Sequence, residues 1–308
     1  MLSNFSDPYS ISGLAAQVSF DSLKGLVYDI AGLRHGGANY DALEERAFSI
    51  EQFFRSVELS VKSQQVSFHG KSFRNIIADT GDPSDEKGMV LIGAHYDAAQ
   101  GSPGADDNAS GIAVLLETAR ILSSIHLKNP VRFVAFTLEE PQPPHVHFLI
   151  GSRHFAEQAK NVEDKYQAVL ILESVGYSSS EKGSQIVPSF VRINAPDIGN
   201  FLGVVANRAS ESIMKTFQSA ATEEVPELPV ATYKAPFSGY LMPETRFSDH
   251  SPFWDCGYPA LMLTDTAMFR NPYYHSEHDR MDTLDFNFMS NVAKAVISFI
   301  AKFAGVIQ

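Results

Sequence analysis

Short apolar runs in this sequence end repeatedly in histidine or carboxylate. His95 and Asp97 follow MVLIGA, Glu139 and Glu140 follow VRFVAFTL, Glu173 interrupts AVLILESVG, and Asp249 and His275 lie on either side of PALMLTD. GADDNASG, residues 104–111, sets Asp106 and Asp107 in a tight loop directly ahead of a helical pattern. In an α/β sheet ligands bind in the crevice beyond the carboxyl ends of the strands, so one rim could collect all these groups. Carboxylates buried together repel one another unless cations neutralise them. Glu173, set among Leu and Ile, sharpens that requirement, and a metal site is the simplest account. Histidine with carboxylates and no cysteine suits catalytic zinc, with manganese or cobalt equally suited by ligand type. Five such ligands hold two ions if one carboxylate bridges, at a spacing of about 3.5–4 Å, and such a pair makes a hydroxide nucleophile near neutral pH. In Glu139-Glu140 one residue can ligate while the other takes the water's proton as general base.

Those residues need strands to hold them, and the hydrophobic patterning supplies the strands. Over residues 21–61 apolar positions recur three and four apart, which predicts a pair of N-terminal helices. NIIA (75–78) and MVLIGA (89–94) read as neighbouring strands joined across TGDPSDEKG by a hairpin or a crossover. A helix over about 109–124, the strand VRFVAFTL, the helix GSRHFAEQAK and the strand AVLILESVGY alternate as parallel strands with crossover helices do. FVRINA (190–195) reads as a further strand, 199–217 as a helix, PALMLTD as another central strand and about 287–305 as the closing helix. The expected fold is α/β, a three-layer sandwich with a mixed, mostly parallel central sheet flanked by helices, in a single catalytic domain over 1–308. Residues 141–150 and 219–245 break the rhythm, and their length points to binding loops.

Composition narrows the field. With 36 Asp plus Glu against 24 Lys plus Arg, the formal charge of −12 works against a phosphate backbone, so nucleic acid is not an expected partner. Cys256 is the sole cysteine, which excludes an internal disulfide and cysteine-built zinc modules. No apolar run approaches the roughly 20 residues of a membrane span, so no membrane partner is expected. The opening MLSNFSDPYSISG lacks the basic and apolar regions of a secretory signal, and a cytoplasmic location is the expectation. Nothing in these patterns fixes an oligomeric state.

Taken in order, GAHYD, PGADDNASG, LEE, GSRHFA, LESVGY, SDHSPF and YYHSEHD resemble the M28 family of zinc aminopeptidases and carboxypeptidases, over nearly the whole chain from about Arg34. The resemblance implies an exopeptidase, foremost an aminopeptidase, that hydrolyses the N-terminal bond of a peptide substrate through a water bridging two zinc ions. His95 and Glu173 would hold one zinc, Glu140 and His275 the other, and Asp107 would bridge both. Glu139 would be the general base. Asp97 would stand behind His95 and receive its other ring N–H, Asp106 would support the loop, and the Asp107-Asn108 peptide would be cis. The chain departs from the family in three places. Glu173 stands where many members have Asp, the Asp282-Thr283 pair comes late with an extra His278 before it, and Thr245 stands where some members place a tyrosine, with Tyr240 as a nearby substitute.

Plainer roles compete for several of these residues. Asn108 suits an N-cap, and Asp249 suits either a cap ahead of SPFWD or a carboxylate supporting the site. His145, His147 and His154 read as loop or surface histidines. Phe253, Trp254 and Tyr274 are candidate walls of a substrate pocket. Two other functions share the fold: a glutaminyl cyclase working with one zinc, and a binding or scaffold relative that has lost catalysis. The filled ligand positions favour the peptidase.

Overall fold

Alternation within the apolar runs sends successive side chains to opposite faces of a strand, and both faces here are covered. The computed structural model describes residues 7–82, 88–143, 147–187 and 196–307. Its strands are β1 (Ser60–Phe68), β2 (Lys71–Asp79), β3 (Met89–His95), β4 (Val131–Phe136), β5 (Tyr166–Glu173), β6 (Leu202–Ala206), β7 (Val230–Lys234) and β8 (Ala260–Thr264). Its helices are α1 (Ile11–Ala15), α2 (Phe20–Ile30), α3 (Tyr40–Ser56), α4 (Gly111–Leu122), α5 (Ile150–Asn161), α6 (Glu211–Glu224), α7 (His250–Cys256) and α8 (Phe286–Ala304).

The strands form one mixed sheet in the order β1-β2-β4-β3-β5-β8-β6-β7. The central run β4-β3-β5-β8 is parallel throughout, while β1/β2, β2/β4 and β6/β8 are antiparallel. Val90, Ile92 and Ala94 of β3, with Val131, Phe133 and Ala135 of β4, join the core shared with α2, α3, α4, α6 and α8. The intervening Met89, Leu91, Val134 and Phe136 pack instead against Phe155 of α5 and Phe253 of α7. This is the expected three-layer sandwich. Among the described residues no helix is long and apolar enough to cross a membrane.

Four local expectations change. The segment 199–217 is not one helix: FLGVVA forms β6 and only the part from Glu211 is helical, because a short apolar run rich in Val fits either element until its neighbours are known. β1 and β7 flank the sheet, β1 mostly exposed and β7 partly buried, and neither shows the alternation of buried and exposed residues that marks a half-buried strand. β2 and β3 are not neighbours, since β4 inserts between them. The stretch 219–245 holds the end of α6, β7 and two turns of 3-10 helix rather than a plain loop. FVRINA and His145 lie outside the described residues.

Candidate active site

The parallel direction of β3, β4 and β5 brings their carboxyl ends to one rim. His95 is the last residue of β3, Glu173 the last of β5, and Glu139-Glu140 follow β4 after Thr137 and Leu138. Asp107 enters from the turn before α4. That turn needs its glycines: Gly104 has φ +56, and a Cβ there would lie 2.3 Å from the Asp107 carbonyl oxygen, while one on Gly111 would lie 2.3 Å from Asn108 Oδ1. Asn108 Oδ1 accepts from the Gly111 and Ser174 amides, and its Nδ2 donates to the Leu172 carbonyl at 2.8 Å, tying the turn to β5 and the start of α4. The Asp107-Asn108 peptide is cis.

Asp107 sits between two imidazoles. His95 Nε2 lies 3.2 Å from its Oδ1 and His275 Nε2 lies 3.1 Å from its Oδ2. On the His95 side, Glu173 Oε2 is 3.5 Å and Glu139 Oε2 3.9 Å from the same ring nitrogen. On the other side Glu140 Oε2 is 3.3 Å from His275 Nε2. Two groups therefore each bring three candidate ligand atoms within 4.8 Å of one another: His95 with Glu139 and Glu173, and Asp107 with Glu140 and His275. His95, Asp107, Glu139, Glu140 and Glu173 are buried, and His275 is the open side.

The backbone of both acidic pairs is held from beneath by a further buried carboxylate. Asp97 accepts the Glu139 amide on Oδ1 and the Glu140 amide on Oδ2, each at 3.0 Å. Asp279 does the same for the turn, accepting from the Asp106 amide at 2.8 Å and the Asp107 amide at 3.1 Å. Asp97 was expected to serve His95. It does lie 3.5 Å from Nδ1 of that ring, but its shorter contacts are to the two glutamate amides. Arg34, wholly buried, donates to the carbonyls of Tyr96, Pro103 and Gly104 at 2.6–2.7 Å and so pins the ends of both ligand-bearing segments. Ser248 donates to Glu173 Oε2 at 2.7 Å.

Buried acid and imidazole shift the titration of Glu139, Glu140, Asp107 and His275. Burial pushes Glu140 up to about 7, with the Asp107 charge adding to it against the pull of His275. Burial likewise lifts Glu139 well above the usual carboxylate range, against His95 and with Glu173 and Glu140. Asp107 goes the other way: burial opposes its charge, yet the His275 and His95 imidazoles beside it hold it well below its ordinary value. His275 rises to about 11, since Asp107 and Glu140 outweigh the burial that would lower it. The common content is a set of donors that seeks positive charge. His95 Nε2, Asp107 Oδ1 and Glu140 Oε1 are buried without hydrogen-bond partners among the described residues, which is how ligand atoms for a cation present themselves. The donor set fits zinc.

Other expected residues fall differently. Asp249 is buried at the start of α7 without a side-chain cap bond, and burial pushes its carboxyl up to about 7. Phe253 and Trp254 are core rather than pocket wall, because the apolar face of α7 packs on the sheet; Trp254 Nε1 donates to the Ala260 carbonyl. Tyr274 stacks on His275 with ring centroids 3.9 Å apart and does line a cavity. Tyr240 is 67% exposed and its hydroxyl donates to Asp255, while Thr245 donates to the Met242 carbonyl. His278 is exposed beside Glu277, so His275 is the histidine of the cluster. Arg34, Ser248 and Asp279 were not singled out from sequence. Asp279 lies four residues after His275 in YYHSEHD, so its nearness in sequence to that histidine is the signal that points to it.

Buried histidine and carboxylates at the carboxyl ends of parallel strands define a site of the metallohydrolase kind. The chain belongs to peptidase family M28, whose family model matches residues 75–300. It is 36% identical to the uncharacterized protein YfbL of Escherichia coli over 85% of this chain and 81% of that one. A probable leucine aminopeptidase of Arthroderma otae is 26% identical over 85% of this chain, which spans 66% of that protein's length. Among solved structures, the LapA aminopeptidase of Legionella pneumophila superposes with a TM-score of 0.75 at 19% identity, covering 100% of this chain and 79% of LapA. A glutaminyl cyclase of Porphyromonas gingivalis superposes with a TM-score of 0.71 at 21% identity, covering 93% and 99%. At these identities the superpositions establish the shared fold.

Proposed function

We propose that the chain is a metal-dependent aminopeptidase that removes the N-terminal residue of a peptide, its eight strands forming one catalytic domain. His95 and Glu173 hold one zinc, Glu140 and His275 a second, and Asp107 is shared. The observation that carries this reading is Asp107 itself, a buried carboxylate whose two oxygens lie 3.2 Å and 3.1 Å from two different imidazoles. When bound, two such ions supply Lewis acidity that lowers the pKa of water and polarises a carbonyl.

The remaining chemistry belongs to the chain. Glu139 is the group suited to take a proton on Oε2 and return it to the leaving amine. Its backbone is fixed by Asp97, which holds it and Glu140 as neighbours with different tasks. Burial of the rim excludes water from around these carboxylates and strengthens their interactions. Asp97, Asp279 and Arg34 keep the donors in place, so little rearrangement is asked of the site during turnover.

The test is metal content together with activity on aminoacyl anilides, for the wild type and Glu139→Gln. Two zinc equivalents, with activity that collapses in a variant still holding both, are the expected result. A second reading, a glutaminyl cyclase with one zinc, draws on the superposition with the P. gingivalis enzyme. One equivalent, no anilide cleavage and cyclisation of an N-terminal glutamine would establish it instead.

A further inference from the structure

Beside the cluster a cavity of about 450 Å³ opens among β6, β7, β8 and the turns of residues 236–246, with Glu173 and Tyr274 in its wall. It is roomy enough for a large amino-acid side chain. Phe201, Val205, Met242, Phe247 and Met262 give it an apolar lining. Among the described residues the only charged side chains that line it are Glu173 and Glu244. Glu173 belongs to the cluster. Glu244 does not, and its Oε2 is buried without a hydrogen-bond partner.

Neither neighbouring cation is paired with Glu244. Arg246, two residues on, donates twice to the Asp255 carboxylate at 2.8 Å and once to the Ser238 carbonyl. Arg270 lies with its guanidinium 4.4 Å from the Phe201 ring centroid, outside the cavity lining, and faces the buried Asp265 and Asp106. Glu244 is half-buried in the chamber wall, with Oε2 the shielded oxygen of its carboxylate, and a carboxylate beside an apolar chamber is stabilised when a ligand brings a donor to it. A ligand with a methylene stem and a cationic head satisfies both the walls and the oxygen.

We propose that this chamber receives the side chain of the substrate's N-terminal residue, and that Glu244 selects arginine or lysine there by accepting hydrogen bonds from the cationic head. The assignment rests on the aminopeptidase reading above. The net charge of −12 favours the approach of cationic peptides over acidic ones.

The experiment compares kcat/KM for arginine, lysine, leucine and glutamate anilides in the wild type and in Glu244→Gln and Glu244→Lys. In parallel, calorimetry measures binding of argininamide and leucinamide to the zinc-loaded proteins. The wild type is expected to favour arginine and lysine over leucine. The arginine-to-leucine ratio should fall about tenfold or more in Glu244→Gln, as for loss of a charge-assisted hydrogen bond. Glu244→Lys should move the preference toward glutamate. An unchanged ratio overturns the assignment, whether both substrates decline together or neither does; a uniform decline would give Glu244 the substrate's α-ammonium instead. If no anilide is cleaved but argininamide binds in preference to leucinamide and loses that preference in Glu244→Gln, the chamber stands and the peptidase reading fails.

Discussion

Asp279→Asn removes one negative charge and almost no volume, so its effect isolates the hydrogen bonds beneath the Asp106-Asp107 turn. The native carboxylate is fully buried and takes one amide N–H on each oxygen, at 2.8 Å and 3.1 Å. Asparagine keeps one acceptor and turns an NH2 group toward the other amide. One charge-assisted bond is lost, worth about 1.5–3 kcal/mol, and one buried N–H is left unsatisfied, at about 1–3 kcal/mol. After relaxation the variant should be less stable by about 3–5 kcal/mol, a large share of a typical total of about 5–15 kcal/mol. Because the displaced segment carries Asp107, zinc should bind about 10- to 100-fold more weakly, as when other supporting partners of metal ligands are changed. Urea unfolding of the metal-free protein reads the first quantity, and competition with a zinc chelator reads the second. A loss of less than about 1 kcal/mol with undiminished zinc affinity would refute the clamp, since surface-like behaviour is then all that Asp279 shows.

Two further outcomes follow from other buried groups. Arg132 donates to both oxygens of Asp79, at 2.7 Å and 3.1 Å, and also to Asp164 and the Tyr166 hydroxyl. Arg132→Met should cost about 3–5 kcal/mol in urea unfolding by leaving the buried Asp79 only the half-exposed Lys62 ammonium 3.6 Å away, and the double change with Asp79→Leu should recover most of it; a single variant as stable as wild type would contradict this. His250 is fully buried, Nε2–H donating to the Thr245 carbonyl at 2.8 Å, and burial drives its pKa down from 6.5 to about 3. Its folded-state pKa is depressed, so the neutral ring carries no penalty above pH 6.5. Below that the unfolded chain gains a proton that the folded one refuses, and stability falls by about 1.4 kcal/mol per pH unit down to about pH 3. The stability difference between wild type and His250→Gln should therefore shrink at that slope between pH 6 and 4, and a flat difference would exclude His250 as the source.

Much of the site was legible because ligand chemistry coincides with a local pattern. His95 and Glu173 end apolar runs, Glu139-Glu140 follow one closely, and such runs rarely end in buried acid without a reason. Asp107 was marked by the glycines around it, which the turn does require at residues 104 and 111. Phe253 and Trp254 were misjudged because proximity in sequence to His250 says nothing about which face of a seven-residue helix meets the sheet. β6 reads as helix and β1 leaves no strand signal, because a short apolar run, or a polar edge strand, carries too few apolar residues to fix its period.

The sequence alone determined the donor types, their order and the strand ends that carry them, since periodicity and turn chemistry act over a few residues. Tertiary structure decided what depends on distant pairings: β4 set between β2 and β3, and the Asp279 carboxylate brought to amides 172 and 173 residues away. It also decided that Glu244 lines an apolar chamber, with Oε2 unpaired, while Arg246 turns away to Asp255. Local patterns cannot encode such choices, because a buried polar group is satisfied or stranded by whichever segments the whole fold packs around it.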